Sequence, residues 1–153
     1  MSNYLSYEDY LELGGDLDES VFNRYAFRAE NAIDFRTFDR IHKLDLAEQS
    51  ERFLYALHMT MYDLISLYVA NDSYVGLAKA TTVDADGNTV PEVRLLGQSN
   101  DGVTVTYNVA GARDALFNID KQMNDVMEKN LSGITFGLNG SRKLLWRGIY
   151  PDE

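Results

Sequence analysis

The sequence has no cysteine, which excludes disulfides, thiol catalysis and cysteine-ligated zinc. Histidine is nearly as scarce, with only His42 and His58 present. A zinc site would need both of them drawn together with carboxylates, and His58, beside Tyr55 and Tyr62, reads instead as a packing or interface residue. No uninterrupted apolar run approaches the roughly twenty residues that a bilayer-crossing helix needs, so no membrane span is expected. The opening Met1-Ser2-Asn3-Tyr4 has neither a basic nor an apolar stretch, and no secretory signal is expected there. Gly14-Gly15 and Gly97 lack the spacing and the following Lys-Ser/Thr of a phosphate loop, and no serine sits in a nucleophile elbow. Asp84, Asp86 and Asn88 resemble a calcium loop only superficially, because that loop has its glycine sixth and a glutamate twelfth, whereas Gly87 is the fourth residue from Asp84 and the twelfth is Leu95. The expectation is a protein that is not an enzyme and holds no metal or cofactor.

What is present bounds the class. The chain has 153 residues, the size of one ordinary domain, and a fold of that size buries about 70% of its unfolded surface without help from a metal. Hydrophobic residues at 45% and charged residues at 25% exclude disordered and collagen-like chains. Acids outnumber bases by 24 to 14, for a net charge of −10 and a pI near 4.6. That balance disfavours a groove that captures nucleic acid, but not a surface that DNA slides past.

The charge is unevenly placed. Residues 1–23 carry Glu8, Asp9, Glu12, Asp16, Asp18 and Glu19 with no base, for a net of −6. Residues 24–43 reverse to +2, residues 44–92 return to −6, and residues 93–153 are neutral. Acids at a helix start suit its dipole, which explains part of the first block but not the basic block behind it.

Periodicity predicts a mainly α fold, a small bundle of three to four helices with a β excursion and a C-terminal extended or hairpin arm. Ser6, with an acid three residues on, caps a short helix over Tyr7–Leu11 that Gly14-Gly15 stops. Asp18 caps a second helix from Glu19 to about Arg36, extending at most to Arg40, whose inward residues are Val21, Phe22, Tyr25, Ala26, Ala29, Ala32 and Ile33. A third helix is expected from about Ala47 to Asn71. Phe53, Leu54, Leu57, Met61, Leu64, Ile65 and Tyr68 form its core stripe, and Tyr55, Met59, Tyr62 and Val69 a second apolar strip. Asp86-Gly87 marks a hairpin turn that Pro91 limits, and Val103, Val105 and Tyr107 alternate with polar residues as a strand. A last helix spans about Ala112 to Lys129, with Leu116, Ile119, Met123, Val126 and Met127 inward, and Asn139-Gly140 predicts a terminal ribbon. The economical reading is one domain over 1–153, with a helical core at 6–74 and 112–131, the β excursion at 75–110 and the arm at 132–153.

Three groups are candidate interface residues. Arg24, Arg28, Arg36 and Arg40 are separated by multiples of four, so they form a row that drifts slowly around one helix face. The row is either a solvated face or a surface that meets the acids of residues 8–19 on a neighbouring subunit. The strand of Val103, Val105 and Tyr107 has an edge to be covered, by Val93–Gln98 of its own chain or by another chain. Leu144, Leu145, Trp146 and Arg147 crowd apolar and hot-spot residue types into the tail. They either fold back on the helices or form an arm over 134–150 that docks elsewhere, and the arm reading expects truncation after Ser132 to leave a folded domain.

Four segments in order resemble the head–tail connector (adaptor) family of tailed bacteriophages. They are Tyr4-Leu5-Ser6-Tyr7-Glu8-Asp9-Tyr10 with Leu13-Gly14-Gly15; Ile33-Asp34, Thr37-Phe38 and Arg40; Gln98-Ser99-Asn100-Asp101-Gly102-Val103-Thr104-Val105-Thr106-Tyr107; and Leu144-Leu145-Trp146-Arg147-Gly148-Ile149. Two departures are Trp146, where that family more usually has tyrosine, and Ala80 to Glu92, longer than its usual connection. The resemblance implies a non-enzymatic homo-oligomeric ring, typically dodecameric, in the virion neck. Such a ring docks under the portal protein, extends the DNA channel without binding DNA specifically, and receives a head-closure or tail-completion protein. It would be made in the host bacterial cytoplasm and have no membrane partner. Two alternatives remain: another neck or capsid component such as a head-closure (stopper) protein, and a small helical enzyme or regulator.

Overall fold

The computed structural model describes residues 4–79, 81–83, 89–91, 118–136 and 142–145. Among these residues it is a mainly helical bundle of four helices with small two-stranded antiparallel pairs that do not close into a barrel. Close packing divides the chain into two compact units, Met1–Tyr68 with Lys121–Glu153, and Val69–Asp120.

The first unit opens with α1 (Tyr7–Glu12), where the Ser6 Oγ accepts the Asp9 N–H at 3.0 Å, as the capping pattern requires. Tyr10 is its buried anchor, with ring centroids 4.9 Å from Phe22 and 5.7 Å from Tyr62. The two glycines that stop α1 have separate tasks. Gly14 takes a φ of 93°, and a Cβ built at Gly15 would overlap the Tyr10 ring. Gly15→Ala should therefore displace Tyr10 and cost about 1–3 kcal/mol of overpacking, read as a lower urea midpoint at unchanged slope.

Helix α2 (Glu19–Thr37) buries Phe22, Tyr25, Ala26, Ala29 and Ile33, the face its period predicts, while Val21 and Ala32 are half-buried. Asp18 occupies the N-cap position without a side-chain capping bond. The helix stops at Thr37 without a glycine. Phe38 and Asp39 take left-handed φ values of 57° and 56°, and the Asp39 N–H donates to the Asp34 carbonyl at 2.9 Å, closing a Schellman-type end.

Two short 3-10 turns, Ile41–Lys43 and Leu46–Glu48, then separate α2 from α3 (Glu51–Lys79). The expected start at Ala47 is corrected, because the Ser50 Oγ accepts the Phe53 N–H at 3.2 Å and sets the N-terminus there. The expected end at Asn71 falls short by eight residues. The core stripe of α3 is as predicted, with Phe53, Leu57, Met61, Leu64, Ile65 and Tyr68 buried and Leu54 half-buried. Its second strip is only partly covered, and Tyr55 is exposed. The run-length argument against a membrane span needs correcting too. The Glu51–Ser73 window has the length and apolar content to cross a bilayer by length and composition alone, because most of the residues that interrupt its runs are Ser, Thr, Tyr and His, with Asp63 the one charge near its middle. Its buried stripe is accounted for by packing within the first unit.

Helix α4 (Ile119–Leu131) buries Met127 and Leu131 and half-buries Ile119, Met123 and Val126, while 112–117, including Leu116, lie outside the described residues. Before it, β1 (Thr81–Val83) and β2 (Thr89–Pro91) in the second unit, and after it β3 (Thr135–Phe136) and β4 (Arg142–Lys143) in the first, form the two predicted antiparallel pairs. Val83 pairs with Thr89 around Asp86-Gly87, and Phe136 with Arg142 around Asn139-Gly140. Pro91, the last described residue of β2, pairs with Thr81.

Candidate association surface

The N-terminal segment is fastened to α2 by carboxylates one helical turn apart. Glu30 Oε1 accepts the Tyr4 N–H at 3.0 Å, and Asp34 Oδ1 accepts a short hydrogen bond from the Tyr4 hydroxyl. Burial first, then the hydrogen bond and charge of Asp34, push the Tyr4 phenol well above its ordinary value of 10.0. Burial also raises the Asp34 carboxyl, and the Tyr4 hydrogen bond opposes that rise without cancelling it. Both groups thus hold their protons more tightly folded than unfolded. The stability Tyr4 contributes is complete below about pH 10 and is lost as pH rises beyond it, whereas that from Asp34 is present in acid and fades as pH climbs past 3.8. Tyr4→Phe should cost about 1–2 kcal/mol at neutral pH and flatten the fall of the urea midpoint between about pH 10 and 12.

The four arginines do not act alike. Arg24 is exposed and stacks on Tyr25, its guanidinium 4.7 Å from the ring centroid, with Nη2 donating to the Tyr25 hydroxyl at 3.1 Å. Arg28 lies 4.3 Å over the Tyr68 ring. Arg36 pairs with Glu128 of α4 at 2.8 Å, an ion pair whose acid is 59% exposed and which is therefore worth at most about 1 kcal/mol. Arg40 is 4% exposed, and its Nη1 donates to the Leu144 carbonyl at 3.2 Å. The spacing explains the divergence. Each step of four residues advances about 40° around a helix, so the row rotates by about 120° from Arg24 to Arg36. Arg36 and Arg40 are thereby engaged inside their own chain.

The tail expectation changes in the same way. Ile134 and Phe136 are nearly inaccessible and Leu144 is fully buried, so the beginning of the expected arm is core, and Leu144 is not an exposed contact residue. Leu145 is half-buried. Trp146 and Arg147, and the strand of Val103, Val105 and Tyr107, lie outside the described residues.

Sequence reasoning missed a feature of α2. Phe27 and Phe35 are 66% and 86% exposed, on the side of the helix opposite the core stripe, and Phe38, just past the helix end, is 50% exposed. Phe27, Asn31 and Phe35 fall at positions i, i+4 and i+8, a second helical period that could have been read from the sequence. Beside them lies a groove of about 770 Å³ lined by Asn31, Asp34, Phe35, Arg36, Phe38, Asp39 and Asn124 of α4. An apolar stripe rimmed by polar groups is the arrangement of an association surface. Among the described residues no three His, Asp or Glu side chains converge as a metal site. Comparison with protein-family models, curated proteins and solved structures finds no match.

Proposed function

We propose that this chain is a structural subunit of the neck of a tailed bacteriophage, a head–tail connector. In this reading copies of the chain form a ring, typically dodecameric, beneath the portal protein. The ring extends the DNA channel and docks the next neck or tail protein. One observation carries the proposal. Three of the four segments that resemble connectors meet in the first unit: Tyr4 is bonded to Asp34, and Arg40, just past that helix, is bonded to Leu144. These residues are up to 140 positions apart in sequence, and the fold uses them as its fastenings. The net charge of −10 supports the same reading, since an acidic channel wall does not neutralise phosphates and hold DNA in transit. Exposed Phe27, Phe35 and Tyr55 support a protein that works through association.

The reading is tested by sedimenting the purified chain with assembled portal rings of the phage that encodes it. The chain should pellet with the rings in saturable, fixed proportion. A chain left wholly in the supernatant, with folded circular dichroism, would overturn the assignment.

A further inference from the structure

We propose that the C-terminal end of α2 is a two-state joint, stopped at Thr37 while Arg40 is bonded to the Leu144 carbonyl, and continuous through Lys43 when the chain at Leu144 is drawn away. The observation that points to it is a pair of residues with side chains in the left-handed region, Phe38 at a φ of 57° and Asp39 at 56°. That region is unfavourable for any L-residue with a Cβ, and a bulky phenylalanine there is an outlier; glycine or asparagine is the usual stop. On either side the backbone is already helical. Helix α2 ends at Thr37, Arg40 has φ −65° and ψ −43°, and Ile41–Lys43 is a 3-10 turn. Phe38 and Asp39 alone separate the two helical runs, and turning both into the right-handed region joins them. Nothing in the sequence from Ile33 to Lys43 resists this, since it holds neither glycine nor proline.

The stop is held from the tail side. The Arg40 guanidinium lies 5.4 Å from the Phe38 ring centroid and donates to the Leu144 carbonyl at 3.2 Å. A continuous helix gives up that bond and keeps most of the packing. Ile33, Thr37 and Ile41 are all buried and stand four residues apart, so along one helix Ile41 stays within about 80° of Ile33. Arg40 then follows Arg36 in the row that the sequence spacing describes. The contest is between left-handed backbone strain at Phe38 and Asp39 and one buried charge-assisted hydrogen bond, which are costs of the same order. That balance is what makes an element bistable. Phe38 and Asp39 also line the groove between α2 and α4, so the joint links the position of Leu144 to the shape of the groove. This inference goes beyond the connector reading, because any contact that displaces Leu144 is a trigger and the test needs neither ring nor portal.

The test is NMR of the full chain, with circular dichroism of every variant as the folding control. In the native chain Phe38 and Asp39 should show the strong intraresidue amide–Hα NOE of a positive φ. Arg40→Gln, which removes the hold on Leu144, should lose those two signals and gain Hα-to-amide NOEs between residues three apart across 36–43. Adding Phe38→Gly to Arg40→Gln should restore the stop, because glycine favours the left-handed turn and disfavours the helix. Phe38→Ala with Asp39→Ala replaces two exposed side chains without touching Arg40 or the core, so it decides the matter even where Arg40→Gln fails to fold. It should shift the joint towards the continuous helix by raising helix propensity, and speed hydrogen exchange at the Leu144 amide, which is bonded to the Ile134 carbonyl. A folded Arg40→Gln chain with residues 38 and 39 still at positive φ would overturn the proposal. So would an alanine pair that leaves both the positive φ values and the Leu144 exchange rate unchanged. A double variant that stays helical would show that the left-handed strain is not what opposes the bond.

Discussion

Ending the chain after Ser132 should abolish cooperative folding of the first unit, not release a dispensable arm. The cut removes Ile134, Phe136 and Leu144, each at most 6% exposed. At about 1.5–3 kcal/mol for each large buried apolar side chain, their loss amounts to roughly 5–9 kcal/mol, comparable with the 5–15 kcal/mol by which a whole domain is usually stable. It also removes the Leu144 carbonyl to which the Arg40 guanidinium donates, leaving a buried charge with one acceptor fewer. Thermal melting followed by circular dichroism checks this. A truncated chain that melts cooperatively within a few degrees of the full chain would show that 134–145 is peripheral. Leu144→Ala is the milder version, and at a fully buried site it should cost about 2–5 kcal/mol.

Replacing Arg40 by alanine is expected to destabilise the protein by about 2–4 kcal/mol. A hydrogen bond from a charged donor is worth about 1.5–3 kcal/mol, and the buried stem of the side chain adds packing. For a chain of this length that corresponds to a fall in Tm of roughly 5–15 °C. Arg40→Lys should recover only part of the loss, because an ammonium keeps the charge without the planar fork. The effect of Arg36→Ala should be small by comparison, since its Glu128 partner is 59% exposed. If Arg36→Ala and Arg40→Ala were equally mild, Arg40 would not be the fastening described here.

The contrast between these two arginines shows how far the sequence could be read. Four basic residues at multiples of four are visible as a row, but only Arg24, Arg28 and Arg36 lie on α2, because the helix ends at Thr37 and leaves Arg40 beyond the left-handed Phe38 and Asp39. Its rotation by about 120° is visible too, but which neighbour waits at each angle is a tertiary fact. Helix α2 was legible because one face carries Phe22, Tyr25, Ala26, Ala29 and Ile33 at helical period. Both antiparallel pairs were legible because Asp-Gly and Asn-Gly in the sequence signal a chain reversal between two strands. The start of α3 was misplaced because the apolar Leu44, Leu46 and Ala47 blend into its pattern, whereas the cap itself, Ser50, is an ordinary residue in the text. The end of α2 had no glycine to announce it, and Phe38 and Asp39 enter the left-handed region under the pull of the Asp34 carbonyl. The phenylalanine stripe was overlooked for a different reason. An aromatic residue in a helix is assigned to the core by default, and only the angle from Ile33 shows that Phe27 and Phe35 point away.

The burial of Leu144 also reshapes the candidate site. A tail crowded with leucine and tryptophan reads equally well as core or as a docking arm, because both bury the same residue types. The structure assigns Ile134, Phe136 and Leu144 to the core of their own chain. Under the connector reading, docking then falls to the parts of the chain beyond that point and to exposed apolar side chains of the helical unit.

Negative-stain electron microscopy of assembled portal rings, imaged with and without the purified chain, tests the connector reading most directly. The account predicts an added density at one end of the portal, ring-shaped in end-on views, coaxial with the channel and open at its centre. Portal particles unchanged by saturating amounts of folded chain would contradict it. So would added density that is not a ring, such as a plug across the channel.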